Sequence, residues 1–449
     1  MPLNVYHCEA AWLGGSTERV ERDVLVQVDG ERITAVTSGV PAPPGAVRLA
    51  GVTVPGLADT HSHCFHRALR SRVQRGGGTF WTWREQMYSV ADRLTPDTYH
   101  ALARATYAEM ALAGITCVGE FHYLHHARGG TRYAEPNVMG EALVAAAADA
   151  GIRITLLDTC YLTGGVGREL VGPQLRFGDG DVAAWAERAS ALRASALRTS
   201  VGVRVGAAVH SVRAVPPAAI GAVAGWAAER DAPLHVHVSE QRAENEACLA
   251  AYGQSPVGVL NAAGALGRRT TAVHATHLTG PDVALLGGTG TCVAMCPTTE
   301  RDLADGIGPA RALADAGSPL SLGSDSHAVI DLFTEARAVE LNTRLATERR
   351  GHLTATELLR AATRHDTLGW PDAGRIAPGA LADLVTLGWD SPRLAGAGVE
   401  CAAEAVVFAA TAADVRSVVA AGRLVVEASR HTTIDVPTAL TAAVAGVFA

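Results

Sequence analysis

Residues 52–67 read V-T-V-P-G-L-A-D-T-H-S-H-C-F-H-R. An apolar run reaches Pro55-Gly56 and Leu57, and His61 and His63 follow within a few residues, one residue apart. In an extended strand the side chains of i and i+2 share a face, so both imidazoles can meet one metal ion. Two exposed loop histidines are the alternative, but a position at the end of a buried strand favours ligation. If the pair holds an ion, the remaining ligands must come from downstream.

Downstream, apolar strands alternate with helical periods. Strands are predicted at 52–58, 115–121, 152–161, 201–210, 233–239, 271–278, 291–296 and 319–324, with helices at 96–113, 138–150, 182–196, 217–230, 241–252, 281–286 and 309–316. Eight apolar strands interleaved with helices form the pattern of a (β/α)8 TIM-type barrel. An open doubly wound sheet is the alternative. Against it, no glycine-rich fingerprint follows the first strand, and polar residues gather at the C-terminal ends of several strands, which in a barrel converge on one site.

Upstream, residues 4–49 are short and β-like, with V-L-V-Q-V-D-G-E-R-I-T-A-V centred on the turn at Asp29-Gly30, and predict a small antiparallel sheet before the main domain. Beyond the first strand, Gly76-Gly77-Gly78 precedes F-W-T-W-R-E-Q-M-Y, residues 80–88. A glycine break followed by clustered aromatics suggests a loop over a pocket that leads into a helix, with Arg84 facing a substrate.

The strand ends supply the chemistry. The fifth gives L-H-V-H-V-S-E, where His237 precedes Glu240 by three residues, a ligand followed by a carboxylate that can reach bound water. His235 shares that face but lies deeper, where a packed, hydrogen-bonded imidazole is expected. The sixth gives A-V-H-A-T-H-L, with His274 and His277, and the eighth gives S-L-G-S-D-S-H, with Asp325. Three histidines and an aspartate on the first, fifth and eighth strands suit Zn2+ or another divalent cation.

Composition limits the partners. A net charge of −7 without basic blocks argues against nucleic acid and anionic membranes. No apolar run reaches spanning length and no basic segment leads into an apolar one near residue 1, so a soluble cytoplasmic protein with a small-molecule substrate is expected. Eight cysteines without a C-x-x-C pair read as reduced, buried small hydrophobes, and Cys64, beside His63, is expected to point away from the ligands. The chain contains no lysine.

With H-S-H at the first strand, H-x-x-E at the fifth, a histidine at the sixth and S-D-S-H at the eighth, the sequence resembles the amidohydrolase superfamily over nearly its whole length. The segment G-R-I-A-P-G-A-L-A-D-L-V at 374–385 resembles the return to a small β-sandwich shared with the N-terminus. This implies a β-sandwich from residues 1–52 and 373–449 flanking a barrel over 53–372. Within the superfamily, F-W-T-W-R-E-Q-M-Y, E-F-H-Y-L-H-H, H-S-V-R-A-V, V-H-V-S-E-Q, V-H-A-T-H-L and C-P-T-T-E-R-D-L-A-D-G-I most resemble the iminohydrolases of N-formimino-L-glutamate.

The resemblance implies His61, His63, His237 and Asp325 as ligands of one Zn2+ per chain, with Glu240, His274 and Asp325 as catalytic groups. It also implies Arg84, Tyr123, His210 and Arg213 as contacts to a dicarboxylate substrate, and a homodimer. Arginine suits the task because its fork grips a carboxylate at two points. One departure is visible: where the family carries F-Q-R, this chain has Phe65-His66-Arg67, so His66 takes the place of a substrate-binding glutamine. The implied reaction is hydrolytic deamination to N-formyl-L-glutamate and ammonia. The alternatives are a ring deaminase acting on guanine or cytosine, which would use the same metal set, and a barrel that has lost catalysis. The second would be marked by a missing ligand or a missing Glu240, and none is missing.

Overall fold

The computed structural model describes residues 4–199 and 202–449. The chain begins with four strands, β1 (Asn4–Trp12), β2 (Val20–Asp29), β3 (Arg32–Thr37) and β4 (Val47–Pro55). The turn at Gly30 joins β2 to β3 as an antiparallel hairpin, as the Asp29-Gly30 signal requires.

The apolar run through residue 55 belongs to this sheet, which corrects the placement of the first barrel strand at 52–58. The barrel begins at β5 (Leu57–Ser62), after Gly56. A side chain at Gly56 would collide with Thr116 and Asp383, so glycine lets the chain pass closely from sheet to barrel.

The barrel continues with β6 (Ile115–His122), β7 (Arg153–Cys160), β8 (Val203–Val209), β9 (Leu234–Val238), β10 (Thr270–His274), β11 (Cys292–Met295) and β12 (Leu320–Leu322). Each is parallel to its neighbour, in sequence order. The strands read as near-continuous apolar runs because helices cover their outer face while the barrel interior buries the other. Val201, where the fourth barrel strand was expected to begin, lies outside the described residues. The sixth strand stops at His274, four residues before its expected end, because His274 and Ala275 turn into left-handed backbone, with φ of 67° and 50°.

Closure between the last and first strands happens at the level of His61, His63 and Asp325. The Asp325 N–H donates to the His61 carbonyl at 3.0 Å, and the His63 N–H donates to the Asp325 carbonyl at 3.2 Å. Below them, Thr60 Oγ1 donates to the Leu322 carbonyl. Gly323 makes the approach feasible, since a Cβ there would lie 2.7 Å from the His61 Cβ.

After the barrel the chain returns through β13 (Leu384–Leu387), β14 (Val415–Ala420), β15 (Arg423–Glu427) and β16 (Arg430–His431). These complete one eight-stranded mixed sheet in the order β16-β15-β14-β13-β4-β1-β2-β3. The N- and C-terminal parts meet where Val54 pairs with Val385. One core of the sheet holds Tyr6, Cys8, Val26, Leu49, Leu384 and Val419. Val52, Val54, Val385 and Val418 join the main core with the barrel helices. Seven cysteines are buried and unbridged as expected, while Cys401 is exposed. Among the described residues no helix is long and apolar enough to cross a membrane.

Candidate metal centre and active site

Strand β5 ends by pointing His61 into the barrel mouth, and the extended residue His63 follows it. His237 comes from β9, and Asp325 from the left-handed turn after β12, with φ of 45°. Their ligand atoms converge. His237 Nε2 lies 3.1 Å from His61 Nε2 and 3.3 Å from His63 Nε2, while Asp325 Oδ1 lies 3.4 and 3.7 Å from the same two histidine atoms.

These contacts are not hydrogen bonds among histidines. The Phe121 carbonyl accepts from His63 Nδ1 at 3.0 Å, and the His210 carbonyl accepts from His237 Nδ1 at 2.9 Å. A carbonyl can only accept, so each Nδ1 carries the ring proton and each Nε2 presents a lone pair. Burial holds the three imidazoles below their ordinary titration range, hence neutral, the state in which histidine ligates. Burial alone would raise the Asp325 carboxyl, but His61, His274 and His63 outweigh it and keep it well below the usual carboxylate range.

Three neutral imidazoles and one carboxylate facing one point fit a divalent cation. Bonds of about 2.0–2.1 Å in a tetrahedron separate ligand atoms by about 3.3–3.4 Å, close to the distances found here. Among the described residues three ligand-spaced clusters occur, and each shares one residue with each of the others, His61, His274 or Asp325, so they overlap at one centre.

Glu240 and His274 stand beside it. Glu240 Oε1 is 3.8 Å from His274 Nε2, which is also 3.8 Å from Asp325 Oδ2. On the far side of the ring, His274 Nδ1 lies 3.6 Å from Glu300 Oε1. Burial disfavours a charged His274, yet the surrounding Glu240, Glu300 and Asp325 raise its pKa to about 10. Burial raises Glu240, and His274 and Arg213 offset part of that. The pair is thus a proton-bearing imidazole next to a carboxylate poised above its usual range.

A cavity of about 260 Å³ opens over this centre. His63, His237, Glu240, His274 and Asp325 line it, as do all five residues expected to contact substrate: His66, Arg84, Tyr123, His210 and Arg213. The helix Phe80–Arg93 brings Phe80, Trp83, Arg84 and Tyr88 to its wall, as the glycine break and aromatic cluster predicted. Arg84 lies over the rings of Trp81 and Tyr88, at 4.5 and 5.5 Å. Tyr123 Oη lies 3.4 Å from His66 Nε2. His210 is half-buried, its Nδ1 3.1 Å from Ser211 Oγ.

Arg213 is not a free cation: its guanidinium lies 3.6 Å from Glu240 Oε2 and 3.6 Å from Glu244 Oε1. His66 is buried on the His63 ring, 4.7 Å between centroids, and burial lowers its pKa to about 3. It stays neutral across the physiological range and adds no titration there. His277, the second histidine of the A-V-H-A-T-H-L motif, falls outside the cavity lining, and His235 is buried deeper, its Nε2 bonded to the Thr367 carbonyl. Cys64 takes no part as a ligand; burial pushes its thiol well above the ordinary range.

Sequence reading passed over Glu244, Glu300 and Arg168. Glu300 lies in the quoted C-P-T-T-E-R-D motif just after β11, where a carboxylate at a barrel mouth is itself a signal. Glu244 follows Glu240 by one helical turn, in the first turn of helix Arg242–Tyr252. Arg168 sits in an irregular loop that no periodicity marks.

An amidohydrolase family model matches residues 52–425. The chain is 36% identical over 423 residues to formimidoylglutamate deiminase of Pseudomonas aeruginosa, covering 91% of this chain and 92% of that protein. It is 31% identical to 8-oxoguanine deaminase of the same organism, covering 83% of each. In three dimensions it superimposes on an amidohydrolase from Brucella melitensis with a TM-score of 0.92 and 33% identity, over 99% of this chain and 100% of that one.

Proposed function

The chain belongs to the amidohydrolase family, and we propose that it hydrolyses N-formimino-L-glutamate to N-formyl-L-glutamate and ammonia. The observation that carries this reading is one cavity lined both by Glu240, His274 and Asp325, where a formimino carbon would react, and by the arginines Arg84, Arg168 and Arg213, which suit carboxylates. The 36% identity to a formimidoylglutamate deiminase supports the same substrate. Zinc suits a set of three imidazoles and one carboxylate, one ion per chain. The resemblance implies a homodimer, and analytical ultracentrifugation tests that assembly.

When bound, the cation lowers the pKa of water and polarises the reacting centre. Glu240 accepts the proton of the attacking water at its carboxylate and passes it to the nitrogen that departs as ammonia. His274, carrying a proton at neutral pH, donates from Nε2 toward the charge that develops during attack. Arg213, beside Glu240, suits the carboxylate nearest the reacting nitrogen, and Arg84 the more distant one. His66 and Tyr123 add neutral hydrogen-bonding groups to the same cavity.

A second reading, a ring deaminase, has one observation in its favour besides the 31% identity to 8-oxoguanine deaminase: Phe80, Trp83, Tyr123 and Phe177 offer ring-stacking surfaces in the cavity. An ammonia-release screen with N-formimino-L-glutamate, N-formimino-L-aspartate, guanine and 8-oxoguanine decides. Turnover of the formimino dicarboxylates is expected, and turnover of the purines alone would replace this reading with the second.

A further inference from the structure

Three arginines line the cavity, and their surroundings set them apart. Arg213 already faces two carboxylates, Glu240 and Glu244. Arg84 rests on aromatic rings and has no acidic group in ion-pair range among the described residues. Arg168 likewise makes no side-chain ion pair or hydrogen bond among the described residues, although its backbone is anchored. Its N–H donates to the Gly165 carbonyl at 3.0 Å, and its carbonyl accepts from the Gly164 N–H at 2.9 Å.

The turn that carries Arg168 is joined to the helix that carries Arg84. The Gln174 amide donates to the hydroxyls of Tyr88 and Tyr161, at 3.1 and 3.2 Å, and lies 3.4 Å from the Gly164 carbonyl. Tyr88 is also the ring beneath the Arg84 guanidinium. The helix and the turn that carry these two guanidiniums, neither of which has an acidic partner among the described residues, are thus tied together through Gln174 at the cavity wall.

We propose that Arg168 is a specificity-determining residue which, together with Arg84, holds the side-chain carboxylate of a dicarboxylate substrate. The inference rests on the formimino-dicarboxylate reading above and deepens it. A substrate with two carboxylates brings two negative charges, and Arg213 has much of its own charge offset by Glu240 and Glu244. Arg84 alone would leave the far carboxylate with one half-buried partner. Arg168, an exposed side chain that lines the same cavity, supplies a second cation, whose guanidinium fork suits a carboxylate.

The test compares the parent metalloenzyme with Arg168→Gln on N-formimino-L-glutamate and on N-formimino-L-glutamine, whose far carboxylate is an amide. Calorimetric titration of glutarate, an inert dicarboxylate, runs beside it. The variant is expected to lose roughly tenfold or more in kcat/KM on the dicarboxylate, mainly through KM, and to stay within about twofold on the amide. Glutarate should weaken by a similar factor. Equal losses on both substrates, or no loss on either, would overturn the assignment, as would glutarate affinity that is absent from the parent or unchanged in the variant. A parent that releases no ammonia from N-formimino-L-glutamate would overturn the proposed reaction instead, and the glutarate titration would still decide the role of Arg168.

Discussion

Glu240 Oε1 stands 3.8 Å from His274 Nε2, with the Arg213 guanidinium 3.6 Å from its other oxygen. A carboxylate held between an imidazolium and a guanidinium has few rotamers open to it and a short path to a bound nitrogen. Glu240→Gln keeps the shape and removes the proton acceptor. Turnover should fall by roughly two to four powers of ten with metal content and melting temperature preserved. Near-normal turnover in a fully metallated variant would assign the proton to Asp325.

Metal analysis should give one ion per active chain. A second ion commonly needs a carbamoylated lysine as bridge, and there is no lysine here. The ligand-spaced clusters among the described residues also overlap at a single centre. Removing the ion leaves the Nε2 lone pairs of His61, His63 and His237 crowded together, so chelation should lower the melting temperature as well as abolish activity. Two equivalents per active chain would reject the single-ion site.

The two arginines expected from the sequence should fail differently. Arg84→Ala removes a cation that has no acidic neighbour, and should mainly raise KM, with a loss of about 2–5 kcal/mol if the pair with substrate is fully desolvated. Arg213→Ala leaves Glu240 and Glu244 buried without their counter-charge, so kcat should fall too. Arg213 lowers the Glu240 pKa, and its loss raises it; the acidic limb of the pH–rate profile should therefore move to higher pH. Identical kinetics in both variants would contradict this division.

His66→Gln should retain activity and leave the pH–rate profile between about pH 5 and 8 unchanged, because a ring with a pKa of about 3 is already neutral there. A limb that disappears in the variant would show that His66 titrates near neutrality.

Behind the site, Arg188 bridges the buried carboxylates of Asp158 and Asp179, at 2.7 and 2.9 Å, and His126 lies 3.0 Å from Asp179. Burial alone would raise Asp179, but His126 and Arg188 hold it well below the usual carboxylate range. Its contribution to stability is complete above the unfolded value of about 3.9 and is lost as pH falls below it. Thermal melts should thus show this contribution constant from neutrality to about pH 5 and declining in stronger acid. Arg188→Ala should cost about 3–5 kcal/mol, the range for breaking a buried pair. A cost under about 1 kcal/mol would show that water reaches the network.

The residues that converge on the candidate metal centre were legible because their chemistry is tied to position: H-x-H, H-x-x-E and S-D-S-H each close a strand, and barrel strands converge. The first strand was misplaced because the apolar run of β4 continues into Leu57 and Ala58 of β5 and only Gly56 separates the two strands. The ion pairs of Arg213 went unread because its partner Glu244 lies four residues beyond the recognised Glu240, in the first turn of the next helix. The neutrality of His66 could not be read at all, since it comes from burial by distant segments such as the one bearing Trp83, whose ring lies 5.1 Å away. Arg168 illustrates the same limit, as a loop residue whose neighbours are assigned by folding alone.

The pairing of Val54 with Val385 has a consequence for how the chain is made. β4 leaves the ribosome before any barrel strand, and its partner β13 only after all of them. At synthesis rates of about 5–20 residues per second, that interval is on the order of tens of seconds. Throughout it, the nascent hairpins display an unpaired strand edge carrying Val52 and Val54, the kind of surface that recruits foreign strands. The barrel must therefore grow while its own foundation remains open, and the last hydrogen bonds of the small sheet seal a surface that has waited longest for its partner.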